Sequence, residues 1–379
     1  MKKMTLIASA PMGLESVVRD ECVDLGFQNV KTFNGRVEFD GGVEDIVKAN
    51  IHLRVADRVF IKMGEFKAFS FEDLFQGIKK IKWEELIPKD GEFPVSWVSS
   101  VKCKLYSKSD IQKITKKAMV ERLKAHYDMG YFPENGPLFR VKIQAHNDVF
   151  LIMVDTSGEG LHKRGYRNLI NEAPLKETMA AALVKLSRWK GGEDYPLMDP
   201  MCGTGTIAIE AAMIARNVAP GVNRKFASEK WPLIPENLWI DTRDAAFTLE
   251  DYDKEVKIYA SDLDPEAIAV AKENAIKAGV EDDIIFECKN VLEIECPCER
   301  GAIITNPPYG DRLLTEKEVQ RLYSLMGDIF RMRFSKWSYY IITSYEQFQD
   351  YFDRKATKNR KLYNGGIKCY YYQYYGKRF

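Results

Sequence analysis

The segment Pro196-Leu197-Met198-Asp199-Pro200-Met201-Cys202-Gly203-Thr204-Gly205-Thr206 constrains the fold of this chain more than any other. A short apolar run enters a glycine-rich turn, and a helix of small and apolar residues follows over 207–215. A strand, a turn and a helix in that order make the first unit of a doubly wound α/β domain. A second apolar strand over 256–262 delivers Asp262 to the carboxyl edge of the sheet, where open α/β folds bind ligands. Asp264 then caps a helix over Pro265–Ala278. A third strand, Ile284–Cys288, ends at Lys289-Asn290-Val291. Ahead of the turn, Asn171 caps a helix that begins near Ala173-Pro174, where an early proline costs no hydrogen bond. That helix runs to Trp189, and Gly191-Gly192 breaks it.

Gly203-x-Gly205-x-x-Ala208 also fits a dinucleotide fingerprint. Such a fold places its ribose-binding acid about 20 residues beyond the turn, and Asp262 lies much farther on. Asp199 sits at the mouth of the turn, where it repels a pyrophosphate. A ligand with an ammonium and a sulfonium, as in S-adenosylmethionine, is welcome there instead. Asp199, Gly203 and Gly205 are therefore candidate cofactor contacts, with Asp262 taking the ribose hydroxyls. Asn290 suits the adenine amino group and Val291 its face; a plain loop asparagine is the alternative.

A second corner carries the chemistry. Ala302-Ile303-Ile304 reads as a buried strand that stops at Thr305-Asn306-Pro307-Pro308-Tyr309-Gly310-Asp311-Arg312. Two successive prolines have no N–H, so the carbonyls of Asn306 and Pro307 have no ladder to join and can face a ligand. With the Asn306 amide oxygen and the Tyr309 ring, they suit a planar base bearing an exocyclic amino group. Such a nitrogen is a poor nucleophile because its lone pair is delocalised. Accepting its N–H bonds on Asn306 and the Pro307 carbonyl localises the pair and stabilises charge growing on nitrogen. Asn306, Pro307 and Tyr309 are the catalytic candidates; Asp311 and Arg312 are placed to read the base edge or a phosphate.

Seven scattered cysteines argue for a reducing compartment and against a disulfide framework. The four histidines show no metal spacing, so no metal is expected. No run approaches the ~20 apolar residues of a membrane span, and the expected location is the cytoplasm. Basic and acidic residues balance at 56 and 55, so any nucleic-acid surface is local. One candidate is the stretch 101–124, where lysines surround Tyr106 and Ser107 ahead of a helix near 110–126. Another is the loop Leu161-His162-Lys163-Arg164-Gly165-Tyr166-Arg167, read as a substrate-contacting bridge. The strand near 367–375 is tyrosine-rich sheet and core material.

Together the 199–205 turn, Asp262, Asn290 and the 306–309 corner resemble the class I S-adenosylmethionine-dependent methyltransferases that methylate amino groups. The likeness extends over the chain to THUMP-domain RNA enzymes, and within them to the bacterial 23S rRNA guanine-N2 methyltransferase family. It rests on 161–167, Glu172-Ala173-Pro174-Leu175-Lys176-Glu177, Ala219-Pro220-Gly221-x-Asn223-Arg224, Glu229-Lys230-Trp231 and 306–312. The resemblance implies an α/β, Rossmann-like doubly wound domain preceded by an α+β ferredoxin-like/THUMP region. Its parts would be a ferredoxin-like part at 1–60, an RNA-binding THUMP module at 50–160, a basic linker at 161–170 and a methyltransferase domain at 171–379. It also implies that Ala173, Pro174 and Asp199 contact the methionine portion of the cofactor. Where this chain has Asn290, related enzymes often have aspartate. The implied activity is methylation of a guanine N2 in large-subunit ribosomal RNA. Adenine-N6 methylation of DNA or RNA and a non-catalytic RNA-binding ribosome-assembly factor are the alternatives.

Overall fold

In a computed structural model of the chain, the structure describes residues 3–167, 175–310 and 315–376. It divides into two compact units. One comprises Met1–Ala10, Arg19–Leu161 and Lys225–Asp244, the other Pro11–Val18, His162–Arg224 and Ala245–Phe379.

The first unit is built on one seven-stranded sheet. Its strands are β1 (Met4–Ser9), β2 (Gln28–Phe33), β3 (Arg36–Gly41), β4 (Arg58–Lys67), β5 (Val95–Val101), β6 (Val141–His146) and β7 (Val149–Asp155), in the order β2-β3-β1-β4-β7-β6-β5. β4 joins both ends of this order. Its first half pairs with β1 (Leu6↔Ile61), and on its other edge β7 pairs along most of the strand, from Phe60↔Asp155 to Lys67↔Val149. A register shift between Lys62 and Gly64 interrupts the pairing with β7. The expected boundary near residues 50–60 thus adjoins a strand common to both parts. Helices pack on this sheet with defined caps: Ser70 accepts from Asp73 N ahead of Phe71–Lys80, and Ser107 from Asp110 N ahead of Lys108–Tyr127.

Two chain segments fall in units the sequence does not suggest. The 225–244 stretch sits within 171–379 but packs in the first unit, where Trp231 stacks on Phe139 with centroids 4.6 Å apart. Its indole N–H donates to Leu138 O at 3.0 Å, and Ser228 Oγ donates to Thr156 O at 2.8 Å. Conversely, 11–18 packs in the second unit. Gly13 there has φ 87°, and a Cβ on it would meet Lys361 O at 2.7 Å.

The second unit is the doubly wound domain. Its strands are β8 (Leu197–Asp199), β9 (Ile258–Asp262), β10 (Ile284–Cys288), β11 (Ala302–Thr305), β12 (Ser338–Thr343), β13 (Lys358–Asn364) and β14 (Ile367–Tyr374). The order is β10-β9-β8-β11-β12-β14-β13, parallel through β12, with β14 antiparallel to β12 and β13 antiparallel to β14. All four residues of β11 are fully buried, which is why the strand reads as an unbroken apolar run. The strand order reverses between β8 and β11, and such a switch point opens a crevice at the carboxyl ends. The tyrosines of β14 are core: Tyr371 and Tyr374 have no exposed surface. The helix ahead of β8 spans Glu177–Leu186, shorter than the expected run to Trp189. Ser187 N–H closes onto Leu183 and Val184, and the Trp189 indole turns to Tyr195 O. Its expected start at Asn171 and Ala173–Pro174 lies outside the described residues. Among the described residues no helix is long and apolar enough to cross a membrane.

Candidate functional site

At the switch point, β8 ends on Asp199, which is 1% exposed. Its carboxylate accepts a long hydrogen bond from Met201 N, at 3.4 Å, and interacts with the Thr305 side chain. Burial pushes its carboxyl up to about 7, and the charge of Asp262 adds to the rise. A buried acid in this state is completed by a cation.

The turn beyond it is fixed by backbone bonds: Cys202 N to Ser261 O and Gly205 N to Cys202 O, both 2.9 Å. Gly205 caps the helix Thr206–Ala215 with φ 81°, and a Cβ there would stand 3.1 Å from the Ala271 side chain. Only glycine satisfies both demands. Gly203, with φ 52°, donates its N–H to Asp262 Oδ2 at 2.8 Å. The other Asp262 oxygen accepts from Asp264 N at 3.1 Å, and Asp264 in turn caps Pro265–Ala278 as expected. Each Asp262 oxygen keeps a further lone pair for a ligand hydroxyl.

A cavity of about 630 Å³ opens over these strand ends. Asp199, Gly203, Asp262, Asn290 and Asn306 all line it, with Leu175, Ile207, Val291 and Leu322 among its apolar walls. The Asn290 side-chain oxygen accepts from Leu292 N at 2.9 Å. That bond leaves the Asn290 amide N–H groups as its freer edge, better matched to a ring nitrogen than to an amino group. Gly205 stands behind the lining, and Ala173 and Pro174 lie outside the described residues.

The Asn306 corner is arranged differently from the sequence expectation. Asn306 and Pro308 line the cavity, whereas Pro307 is buried and Tyr309 is not in the lining. The Tyr309 hydroxyl donates to Asn306 Oδ1, and burial drives its acidity well below that of a free phenol. The Pro308 carbonyl is taken by the Tyr323 hydroxyl at 2.8 Å. Asp311 and Arg312 lie outside the described residues.

The basic loop also departs from its expected role. Arg164 and Tyr166 are buried, and both bond Glu210 Oε1 at 3.2 Å. Arg167 bonds Thr206 Oγ1 and pairs with Glu177 at 3.5 Å. Burial and neighbouring cations push the His162 imidazole down to about 4, so it is neutral at pH 7. At its buried positions the loop is therefore an anchor for the glycine-turn helix rather than a bridge to substrate. Its signal was present in the sequence: Glu210 is the single acid in an otherwise apolar helix and required a buried partner.

These features fit S-adenosylmethionine. A buried acid with no ion pair among the described residues faces the cavity, a second carboxylate stands at the next strand end, and the glycine turn opens between them. The likenesses to known proteins agree. Residues 164–373 match the RMKL-like methyltransferase domain, residues 5–60 the RlmL ferredoxin-like domain and residues 68–155 the THUMP domain. "Putative RNA methyltransferase YpsC" of Bacillus subtilis (strain 168) is 47% identical over all of this chain and 97% of its own length. "SMU.472, a putative methyltransferase complexed with SAH" superposes with a TM-score of 0.93 at 44% identity, covering 100% of both chains. A "predicted N6-adenine-specific DNA methylase from Listeria monocytogenes str. 4b F2365" superposes with a TM-score of 0.93 at 45% identity, covering 100% of this chain and 97% of its own. The chain belongs to the RMKL-like methyltransferase family, and it is an S-adenosylmethionine-dependent methyltransferase carrying ferredoxin-like and THUMP domains ahead of its catalytic domain.

Proposed function

We propose that this enzyme methylates RNA, and that its target is the exocyclic N2 of a guanine in 23S ribosomal RNA. One observation carries the reading: the Asn306 amide, at the end of β11, lines the same cavity as Asp199, Gly203 and Asp262. The THUMP match at 68–155 and the description of YpsC as a putative RNA methyltransferase support RNA as the substrate. Seven free cysteines suit a reducing cytoplasm.

The cofactor, when bound, supplies an electrophilic methyl group on a sulfonium. Asp199 would face its cationic end and Asp262 its ribose hydroxyls. Asn290, through its free amide edge, would meet the adenine ring. Flipping the target base out of its stack costs a few kcal/mol. Asn306 Oδ1 has two lone pairs; the Tyr309 hydroxyl takes one and the base amino group would take the other. Accepting that N–H turns the nitrogen lone pair toward the methyl carbon. After transfer the nitrogen is acidic and loses its proton, so no strongly basic side chain is needed.

Adenine N6 is the second reading, because the Listeria relative bears that description. Nucleoside mass spectrometry after reaction with 23S rRNA and with duplex DNA separates them. N2-methylguanosine from rRNA is expected. N6-methyladenine from either substrate, without N2-methylguanosine, would replace guanine by adenine in this reading.

A further inference from the structure

In the lysine-rich stretch 101–124 the helix is partly neutralised by ion pairs, although Lys113, Lys117 and Lys124 on it stay exposed. Lys116 pairs with Glu134 at 2.7 Å, Arg122 pairs with Glu84, and Glu121 pairs with Lys79 at 3.1 Å. The loop before the helix is different. Tyr106 is 82% exposed, and Lys102, Lys104 and Lys108 flank it, all exposed. Phe69, 49% exposed, lies under the Lys104 ammonium, which stands 5.0 Å from its ring centroid.

Backbone bonds lock this loop to its neighbours at one end of the sheet. Lys104 N donates to Asp148 Oδ1 at 2.7 Å, Ala68 N to Asp148 O at 3.0 Å, and Asn147 N to Val101 O at 3.2 Å. Nearby carboxylates are spent on hydrogen bonds: Asp148 on Lys104 N, Asp73 on the N–H groups of Phe69 and Ser70, and Asp110 on Ser107. Among the described residues, none of them forms an ion pair with these lysines. Lys102 holds φ 54°, a left-handed conformation that costs a non-glycine residue energy and sets the turn of this loop.

An exposed Tyr106 flanked in sequence by exposed lysines, one of which covers the Phe69 ring, offers a face for stacking with cations for phosphate beside it. Duplex RNA keeps its bases stacked and presents no face to such rings, whereas single-stranded segments do. We propose that the surface formed by Phe69, Lys102, Lys104, Tyr106 and Lys108 binds a single-stranded segment of the RNA substrate, with a base stacked on Tyr106. This rests on the RNA reading above.

The test is equilibrium binding of the full-length protein to a labelled single-stranded RNA 12-mer and to a matched duplex, beside calorimetry with S-adenosylmethionine. Tyr106→Ala is expected to weaken single-strand binding by about tenfold, within the range of one lost base stack, while Tyr106→Trp retains it. Lys102→Ala and Lys108→Ala are each expected to lower the salt-dependence slope by about 0.7. Cofactor binding stays unchanged in every variant. Wild-type-like single-strand affinity in Tyr106→Ala, or an equal loss on the duplex, overturns the surface while leaving RNA methylation intact. A wild type that binds neither RNA yet still binds cofactor overturns the surface together with the RNA reading.

Discussion

Near neutral pH the Asp199 carboxyl is about half protonated, and in the proposed site a cationic cofactor would favour its ionised form. Its carboxyl rises from the ordinary 3.8 to about 7 because burial penalises the charged form. A raised acid makes the cofactor-free fold lose stability as pH climbs from the usual carboxylate range through about 7. A cationic ligand reverses the preference, so binding should expel a proton at neutral pH. Affinity for S-adenosylmethionine is then expected to climb roughly tenfold per pH unit below 7 and to level off above it. Calorimetry in buffers of different ionisation enthalpy reads both the slope and the proton count, and Asp199→Asn should abolish the proton release. A flat affinity from pH 5.5 to 8 in the wild type would remove this role. Behind the Asn306 wall of the cavity, Tyr309 acts through its hydroxyl in the proposed mechanism. Asn306→Ala should lower kcat by about 10²–10³, the scale of a lost preorganised polar group. Tyr309→Phe keeps the ring but frees the Asn306 amide, and a tenfold fall in kcat is expected, worth about one hydrogen bond. Neither change should alter cofactor affinity. Full activity in Tyr309→Phe would instead favour the ring as the working part.

The helix Thr206–Ala215 ties the loop, the turn and the cavity together. Glu210 lies in its interior with no exposed surface, against an Arg164 side chain only 2% exposed. Removing one partner of such a pair leaves a buried charge, which costs about 3–5 kcal/mol. Glu210→Ala should therefore lower thermal stability sharply, and replacing Arg164 by Met in the same chain should recover much of the loss. A near-neutral single substitution in denaturant melts would refute the pairing. The sequence carried much at this scale. Glycines in a tight turn and acids at strand ends follow from local stereochemistry, and so do fully apolar parallel strands. That is why Gly203, Gly205, Asp199 and Asp262 could be placed without coordinates. What stayed hidden depends on distant partners. Arg164 looks like any loop cation until Glu210 is opposite it, and Tyr309 looks like a stacking ring until its hydroxyl meets Asn306. Residues such as Leu322 join the cavity wall only through the packing of a helix far along the chain.

Across the whole chain, contiguous sequence and contiguous structure diverge. β4 pairs on one edge with the ferredoxin-like strands and on the other with the THUMP strands, so the two parts share one hydrogen-bonded sheet. The stretch 225–244 lies in the middle of the sequence matched to the methyltransferase domain, 164–373, yet its side chains complete the first unit. Trp231 is the measure of that attachment, stacked on Phe139 and bonded to Leu138 O. Truncating a buried tryptophan to alanine costs about 3–5 kcal/mol. The cost should fall where the ring packs rather than where the residue sits in sequence. Trp231→Ala is thus expected to accelerate amide hydrogen exchange in β7 and in the strand-leading residues 138–141, with cofactor affinity and exchange in β8 and β9 unchanged. Faster exchange in β8 and β9 with weakened cofactor binding would instead assign the stretch to the catalytic unit, and the discontinuous division would be wrong.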